Sequence, residues 1–313
     1  MSTFDIIPDT SCDLDAALRE RFGIGDYLHG ILYYPDGHSE TADLDWSLMS
    51  PEEYYNSMKG RSALYKTANI PLGHITEVFE KSLKEGKDIL SISISTKLSS
   101  IYSETVMVAK ELLEKYPERK IICVDSKRYS TALALLVIKA CQKRDEGASI
   151  EETAEYIESI KHKIHQMGTM DDLYFLCKAG RISNSKAFFG SLVGVNPMAD
   201  FNREGLSEVI IKKKGKRAAF DTAIKYIEQT IENPEEQIIF VAHSNREKQA
   251  KIFSEMIKEK FSPKEIIINP VGITCGASIG PGLCAAFYIG KEISEGLADE
   301  KAIMESITGE NSN

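Results

Sequence analysis

The sequence predicts a two-domain α/β protein: a parallel-sheet, three-layer α/β/α domain over residues 1–166, then an α/β domain with a β-hairpin over 167–313. Three observations lead there. In the first half, short apolar strands without polar alternation are each followed by a helix-like pattern, as in a parallel sheet covered on both faces. After Gly168 the pattern changes to one containing a hairpin, residues 198–202 and 206–213 joined by Arg203-Glu204-Gly205. No internal repeat or low-complexity linker separates the halves, so they are expected to pack closely around a cleft that holds the ligand.

Taken in order, residues 4–8 form a short apolar strand that runs into Asp9-Thr10-Ser11-Cys12-Asp13, an acidic, hydroxyl-rich turn before a helix over 14–22. Residues 27–34 read as a strand closed by a Pro35-Asp36-Gly37 turn. Ser50-Pro51-Glu52 marks a helix start with proline at its first position. Residues 65–71 read as a polar turn ahead of a helix over 75–83. The organising stretch follows, residues 89–105. Ile89, Leu90, Ile92 and Ile94 make a buried strand, and Ser95, Thr96, Ser99 and Ser100 a hydroxyl-rich turn. Ile101, Thr105, Ala109 and Leu112 then recur at helical spacing. A helix N-terminus leaves backbone N–H groups unpaired and carries partial positive charge, so hydroxyls clustered there either cap the helix or hold a carboxylate or phosphate.

Residues 120–124 form another apolar strand, ending in Asp125-Ser126, and an apolar helix spans 131–141. A Ser149/Glu152 capping box opens a helix that runs to about residue 165. Ligands of parallel sheets bind beyond the carboxyl ends of the strands. The turns at 9–13, 67–69, 95–100 and 125–126 are all expected on that edge.

The second half holds Lys178-Ala179-Gly180-Arg181-Ile182-Ser183, a short helix and the hairpin. Helices at 217–231 and 246–261 then flank a strand at 237–242, with further strands at 265–270 and 284–289. The glycine-rich stretch 276–282 either cradles an anion or turns the chain tightly, and it lacks both G-x-G-x-x-G and G-K-[ST]. Cys275 reads as a small buried residue or as a nucleophile with no histidine near it in sequence. Arg181 is a lone cation that either pairs with a local carboxylate or reaches an anionic ligand or partner. His243, after an apolar strand, reads as a capping or packed histidine.

The 313 residues are 42% hydrophobic and 27% charged, as in ordinary globular domains. A net charge of -9 gives no electrostatic footprint for nucleic acid. The basic run Lys212, Lys213, Lys214, Lys216 and Arg217 reads as a solvated hairpin end. Six cysteines form no C-x-x-C, and six histidines form neither an i,i+4 pair nor a cluster with cysteine. No metal site and no cofactor are therefore expected. Without a signal peptide or an apolar run of membrane-spanning length, the expected location is cytoplasmic.

Several motifs, in order, resemble those of the DegV family of fatty-acid-binding proteins. Asp9-Thr10-Ser11-Cys12-Asp13-Leu14 resembles that family's D-S-T-x-D-L, and the stretch from Ser95 to Tyr102 is similar to its S-S-x-L-S-G-T-Y. The stretch from Lys178 to Ile182 is similar to K-x-G-R-I, Gly280-Pro281-Gly282 to the late G-P-G, and Thr67-Ala68-Asn69 keeps the threonine of T-S-Q. The resemblance implies a binding protein that encloses one long-chain fatty acid, its tail in an apolar tunnel completed by the C-terminal domain. Thr67 and Ser95 would hydrogen-bond the carboxylate, with Thr96 beside them and Asp9, Ser99, Gly280 and Gly282 lining the pocket or supporting its turns. It further implies that the acid is presented to a separate fatty acid kinase, which makes the acyl phosphate for lipid synthesis, and that Arg181 engages this partner. Transient contact with a membrane surface follows as an expectation, and the chain itself would carry no catalytic group. Three places depart from the pattern, one of them the turn from Asp125 to Ser130, which is less glycine-rich than the family's. Ser278 stands where the family has histidine, and Ser99-Ser100-Ile101 replaces Ser-Gly-Thr. The competing readings are a carrier or sensor of a different anion, and a hydrolase using Ser95 or Cys275.

Overall fold

Isoleucine- and valine-rich runs supply the strands, and hydroxyl or acidic residues at their ends supply the turns. The computed structural model describes residues 4–183 and 195–309. The chain begins with β1 (Phe4–Pro8), α1 (Ala16–Arg21), β2 (Ile31–Tyr33), β3 (Ser39–Thr41), α2 (Pro51–Ser57) and β4 (Lys66–Ala68). It continues through α3 (Leu72–Lys84), β5 (Asp88–Ser93), α4 (Ile101–Lys115), β6 (Ile121–Asp125), α5 (Thr131–Asp145) and α6 (Ile150–Ile160). Then come β7 (Ile164–Thr169), α7 (Tyr174–Ala179), β8 (Val195–Phe201), β9 (Ser207–Lys214), α8 (Lys216–Thr230) and β10 (Ile238–His243). The last elements are α9 (Glu247–Phe261), β11 (Glu265–Pro270), α10 (Ile273–Ile279), β12 (Cys284–Ile289) and α11 (Ala298–Thr308). The short helix expected just after Ser183 lies outside the described residues.

The residues divide into two compact units. One takes the residues up to Met49, Leu64–Lys161 and Gly272–Cys275; the other takes Ser50–Ala63, His162–Val271 and the residues from Gly276 onward.

In the first unit, β1, β5 and β6 form an all-parallel sheet with β5 in the middle. Of residues 131–141 in α5, only Lys139 is not fully buried, so this helix is core on nearly every side rather than amphipathic. A second, antiparallel sheet runs β3-β2-β4. Residues 66–68, expected as a turn, are strand β4, with Thr67 opposite Leu32. All three side chains are exposed, which leaves no apolar alternation to read in the sequence.

In the second unit, α2 opens at the expected start with Pro51 in its first turn, and a capping box closes it: Ser50 accepts from the Glu53 N–H and Glu53 reaches back. Its Tyr54 and Tyr55 are fully buried, and the Tyr55 hydroxyl donates to the Val271 carbonyl at 2.7 Å. That packing explains Gly276, where a Cβ would come within 2.6 Å of the Tyr55 oxygen. The glycine-rich stretch read as an anion cradle or a tight turn is helix α10 as far as Ile279. The main sheet runs β11-β10-β12-β7, parallel between β10 and β11 and antiparallel elsewhere, and β8 and β9 form the expected hairpin. The helix expected to continue to residue 165 stops at Ile160, and β7 follows. This strand is buried throughout yet contains His165, Gln166 and Gly168, so neither helical nor strand periodicity marks it.

A buried polar group anchors β7. His165 Nδ1 lies 2.6 Å from Asp200 Oδ2, and Nε2 lies 2.9 Å from the Lys291 carbonyl. Tyr226 donates to the same carboxylate at 2.8 Å, and the N–H groups of Gln166 and Phe201 donate to its other oxygen. The carboxylate thus satisfies several buried donors at once, and replacing it leaves at least one of them unpaired. Asp200→Asn is expected to lower unfolding stability by about 1–3 kcal/mol, read as a shift in the urea midpoint.

Candidate ligand site

The site is built on the carboxyl ends of β1, β5 and β6. Asp9 follows β1 and is fully buried; its Oδ1 accepts from the Ser11 N–H at 2.8 Å and its Oδ2 from the Ile94 N–H at 2.9 Å. Burial pushes its pKa up, and those two backbone donors oppose the rise. Next to it, the Thr10 hydroxyl accepts from the Gly30 N–H at 3.2 Å, and the Thr10 N–H donates to the Leu28 carbonyl. These bonds tie the segment entering β2 to the end of β1, and β4, which carries Thr67, pairs with β2.

Ser95 is fully buried. Its N–H donates to the Arg128 carbonyl at 2.9 Å, and its own carbonyl accepts from Leu98 and Ser99. Its Oγ accepts from the Lys97 N–H at 3.3 Å, and among the described residues nothing accepts the hydroxyl proton. Thr67 is exposed, and its hydroxyl has no partner among the described residues. Thr96 is occupied differently. Its hydroxyl donates to Asp125 at 2.7 Å and accepts from Lys127 Nζ at 3.1 Å. Burial alone would raise the Asp125 pKa, but Lys127 and Thr96 outweigh it and hold the group below the usual carboxylate range. Thr96 thus fixes an ion pair, while Ser95 and Thr67 keep donors unused.

Ser99 and Ser100 do little capping. Ser100, at the N-cap of α4, makes no side-chain bond to the helix N–H groups. Ser99 accepts weakly from Ile101 at 3.4 Å and donates to Asn69 Oδ1 at 3.1 Å. Asn69 Nδ2 donates to Ser100 Oγ and, at 2.9 Å, to Glu104 Oε1; Ser100 donates to Glu104 at 2.8 Å. Asn69 and Glu104 were not singled out from the sequence as site residues, although the i,i+4 spacing of Ser100 and Glu104 was a usable signal. Arg128 was also missed. It is fully buried, and its carbonyl accepts from both Ser95 and Ser126.

Beneath this edge lies Asp13, at φ 53°, hydrogen-bonded to Ser130, itself at φ 56°. Gly272 presses against it, leaving no room for a Cβ. Cys275, within 3.6 Å of the Ser11 carbonyl, is buried beside Asp13 and Asp9. Burial first, and those carboxyls next, push its thiol well up, which favours the protonated form. In the second unit, His243 accepts from the Arg246 N–H at 3.5 Å, and burial lowers its pKa.

The remaining expected residues are in the second unit. Ser278 is half-buried on α10, its hydroxyl unpartnered among the described residues. Gly280 and Gly282 have φ of 72° and 111°, and Cβ atoms there would strike Phe175 and Asp171, so both are demanded by the turn. Gly180 ends α7 in a left-handed conformation, and the Arg181 N–H returns to the Leu176 carbonyl. The Arg181 guanidinium donates to the Ala179 carbonyl at 3.0 Å and meets no carboxylate among the described residues. Among those residues there is also no metal-holding group of three His, Cys, Asp or Glu, and no helix long and apolar enough to cross a membrane.

The family model described as "Uncharacterised protein, DegV family" matches residues 3–291. The chain belongs to the DegV family. It is 33% identical over 290 residues to a DegV domain-containing protein of Clostridium perfringens, covering 93% of this chain and 98% of that one. Two solved structures share the fold. One is a DegV family protein from Thermus thermophilus, described by its fatty acid binding, with 22% identity and a TM-score of 0.82 over 93% of this chain and 100% of that one. The other, from Eubacterium ventriosum, is described as a stearic-acid-binding protein, with 19% identity and a TM-score of 0.80 over 92% and 99%. Other DegV structures match as fully, among them one from Bacillus subtilis.

Asp13 supplies a pH test. Burial raises its pKa from 3.8 to about 7, against hydrogen bonds from Ser130 and Thr131. The folded protein then keeps a proton that the unfolded chain releases, so this group's contribution to stability falls as pH climbs from about 4 to about 7. Asp13→Asn, which mimics the neutral acid, is expected to gain in Tm relative to the parent protein between pH 5 and pH 8. A difference in Tm that stays constant over that range removes the assignment.

Proposed function

We propose that this protein binds one long-chain fatty acid, with the hydroxyls of Ser95 and Thr67 donating to its carboxylate, and presents the acid to a separate fatty acid kinase for acyl-phosphate formation. What supports the reading is a buried Ser95 just beyond β5 whose hydroxyl proton meets no acceptor among the described residues, together with the unpartnered Thr67 hydroxyl on β4. The fold is that of proteins described as binding fatty acid and stearic acid, which supports the choice of ligand.

The chemistry is consistent. A carboxylate removed from water without donors is costly and tends to protonate. Two hydroxyls and the positive end of α4, whose first N–H groups have no side-chain cap on Ser100, compensate it without a salt bridge. Each buried methylene contributes about 0.8 kcal/mol, so the tail dominates affinity while the polar end sets orientation. The buried, protonated Cys275, and the lack of any histidine bonded to Ser95 among the described residues, favour a carrier over a hydrolase. Arg181, with no carboxylate partner among the described residues, keeps a guanidinium for an anionic partner group.

Extraction of the purified protein followed by mass spectrometry should return a long-chain acid; a phosphate ester instead would replace this reading. Ser95→Ala and Thr67→Ala are each expected to weaken oleate binding about tenfold, the effect of one hydrogen bond to a charged group, with Tm unchanged. Wild-type affinity in both would remove the carboxylate clamp. Arg181→Ala should leave oleate affinity intact and slow phosphorylation of the bound acid by the cognate kinase. Equal turnover would count against a partner role for Arg181.

A further inference from the structure

We infer that Asn69 is a positioning residue that sets the reach of Thr67 across to Ser95; the inference rests on the carboxylate clamp proposed above. Thr67 sits on β4, a three-residue edge strand whose side chains are all exposed and whose one strand neighbour among the described residues is β2. Pairing with β2 holds its backbone, but its own side chains bury nothing that would fix the strand's end. Two residues on, the Asn69 amide is engaged at both ends: Oδ1 accepts from Ser99, and Nδ2 donates to Ser100 and Glu104. Ser100 also donates to Glu104, which closes the group. All three partners lie within the nine residues after Ser95, in the turn and first helical turn that Ser95 opens.

The hook therefore joins the segment carrying one half of the clamp to the segment carrying the other. With its oxygen and nitrogen both held, Asn69 has little left to offer a ligand directly. Two differences from the motifs that the sequence resembles also fit together here. Asn69 stands in place of a longer glutamine and Ser100 in place of a glycine, so a shorter amide meets a hydroxyl that the glycine could not supply. A hydroxyl–carboxylate hydrogen bond tolerates only a few tenths of an ångström of displacement. Releasing β4 is expected to lose the Thr67 contact while leaving the acyl tail bound.

The test is a double-mutant cycle on oleate affinity, with oleyl alcohol as the uncharged probe. Asn69→Ala should weaken oleate binding about 3- to 10-fold, leave oleyl alcohol affinity unchanged, and add less than about twofold to Thr67→Ala. The pair Asn69→Gln with Ser100→Gly should restore oleate affinity. If Asn69→Ala fails to fold, Glu104→Ala, which removes one acceptor of the amide, is expected to show the same pattern more weakly. Thr67→Ala at wild-type affinity sinks the clamp and this inference with it. A weakened Thr67→Ala beside an unaffected or fully additive Asn69→Ala sinks this inference alone.

Discussion

One buried carboxylate joins the two strands on which the site is built. Asp9 takes the Ser11 N–H on one oxygen and the Ile94 N–H on the other, so the turn after β1 is tied to the end of β5. Backbone donors at strand ends are poor things to bury unpaired, and a carboxylate satisfies two of them at once. Burial opposes the charge, which is why the group needs both donors. The neighbouring Thr10 extends the link to Gly30, β2 and finally β4. The segments carrying Ser95 and Thr67 are thereby both linked to the end of β1.

The hydroxyl-rich edge divides its labour. Thr96 stabilises the Asp125–Lys127 pair, and Ser99 and Ser100 bind Asn69 and Glu104, whereas Ser95 and Thr67 retain donors. Ser91 and Ser93, at alternate positions before Ser95 on β5, have buried hydroxyls with no partner among the described residues. Their contribution there is small size rather than hydrogen bonding. A sequence stretch that reads as one polar cluster is thus three kinds of position, separable only by asking what each oxygen touches.

In the second unit the family motifs have plain structural causes. Gly280 and Gly282 adopt backbone conformations that a side chain resists, with Phe175 and Asp171 filling the space. Gly180 terminates α7, which leaves Arg181 directly beyond a helix end. The buried His165–Asp200 pair holds β7 beside the hairpin without contributing apolar patterning.

The sequence by itself determined the parallel core. Residues 121–124 are apolar without alternation, and residues 89–94 interleave apolar side chains only with small serines, so both runs suit a strand covered on both faces. It also determined the capping boxes at Ser50 and Ser149, which depend on contacts three residues apart. Tertiary structure decided what depends on distant partners. Strand β4 is visible only through its pairing with β2, the buried polar His165 of β7 only through Asp200 and Lys291, and the need for glycine at 276 only through Tyr55. For the hydroxyl turn, Ser95, Thr96, Ser99 and Ser100 were legible in the sequence as a group. Which of them keeps a free donor was not, because Asp125 and Asn69, about 30 residues away, take up the others.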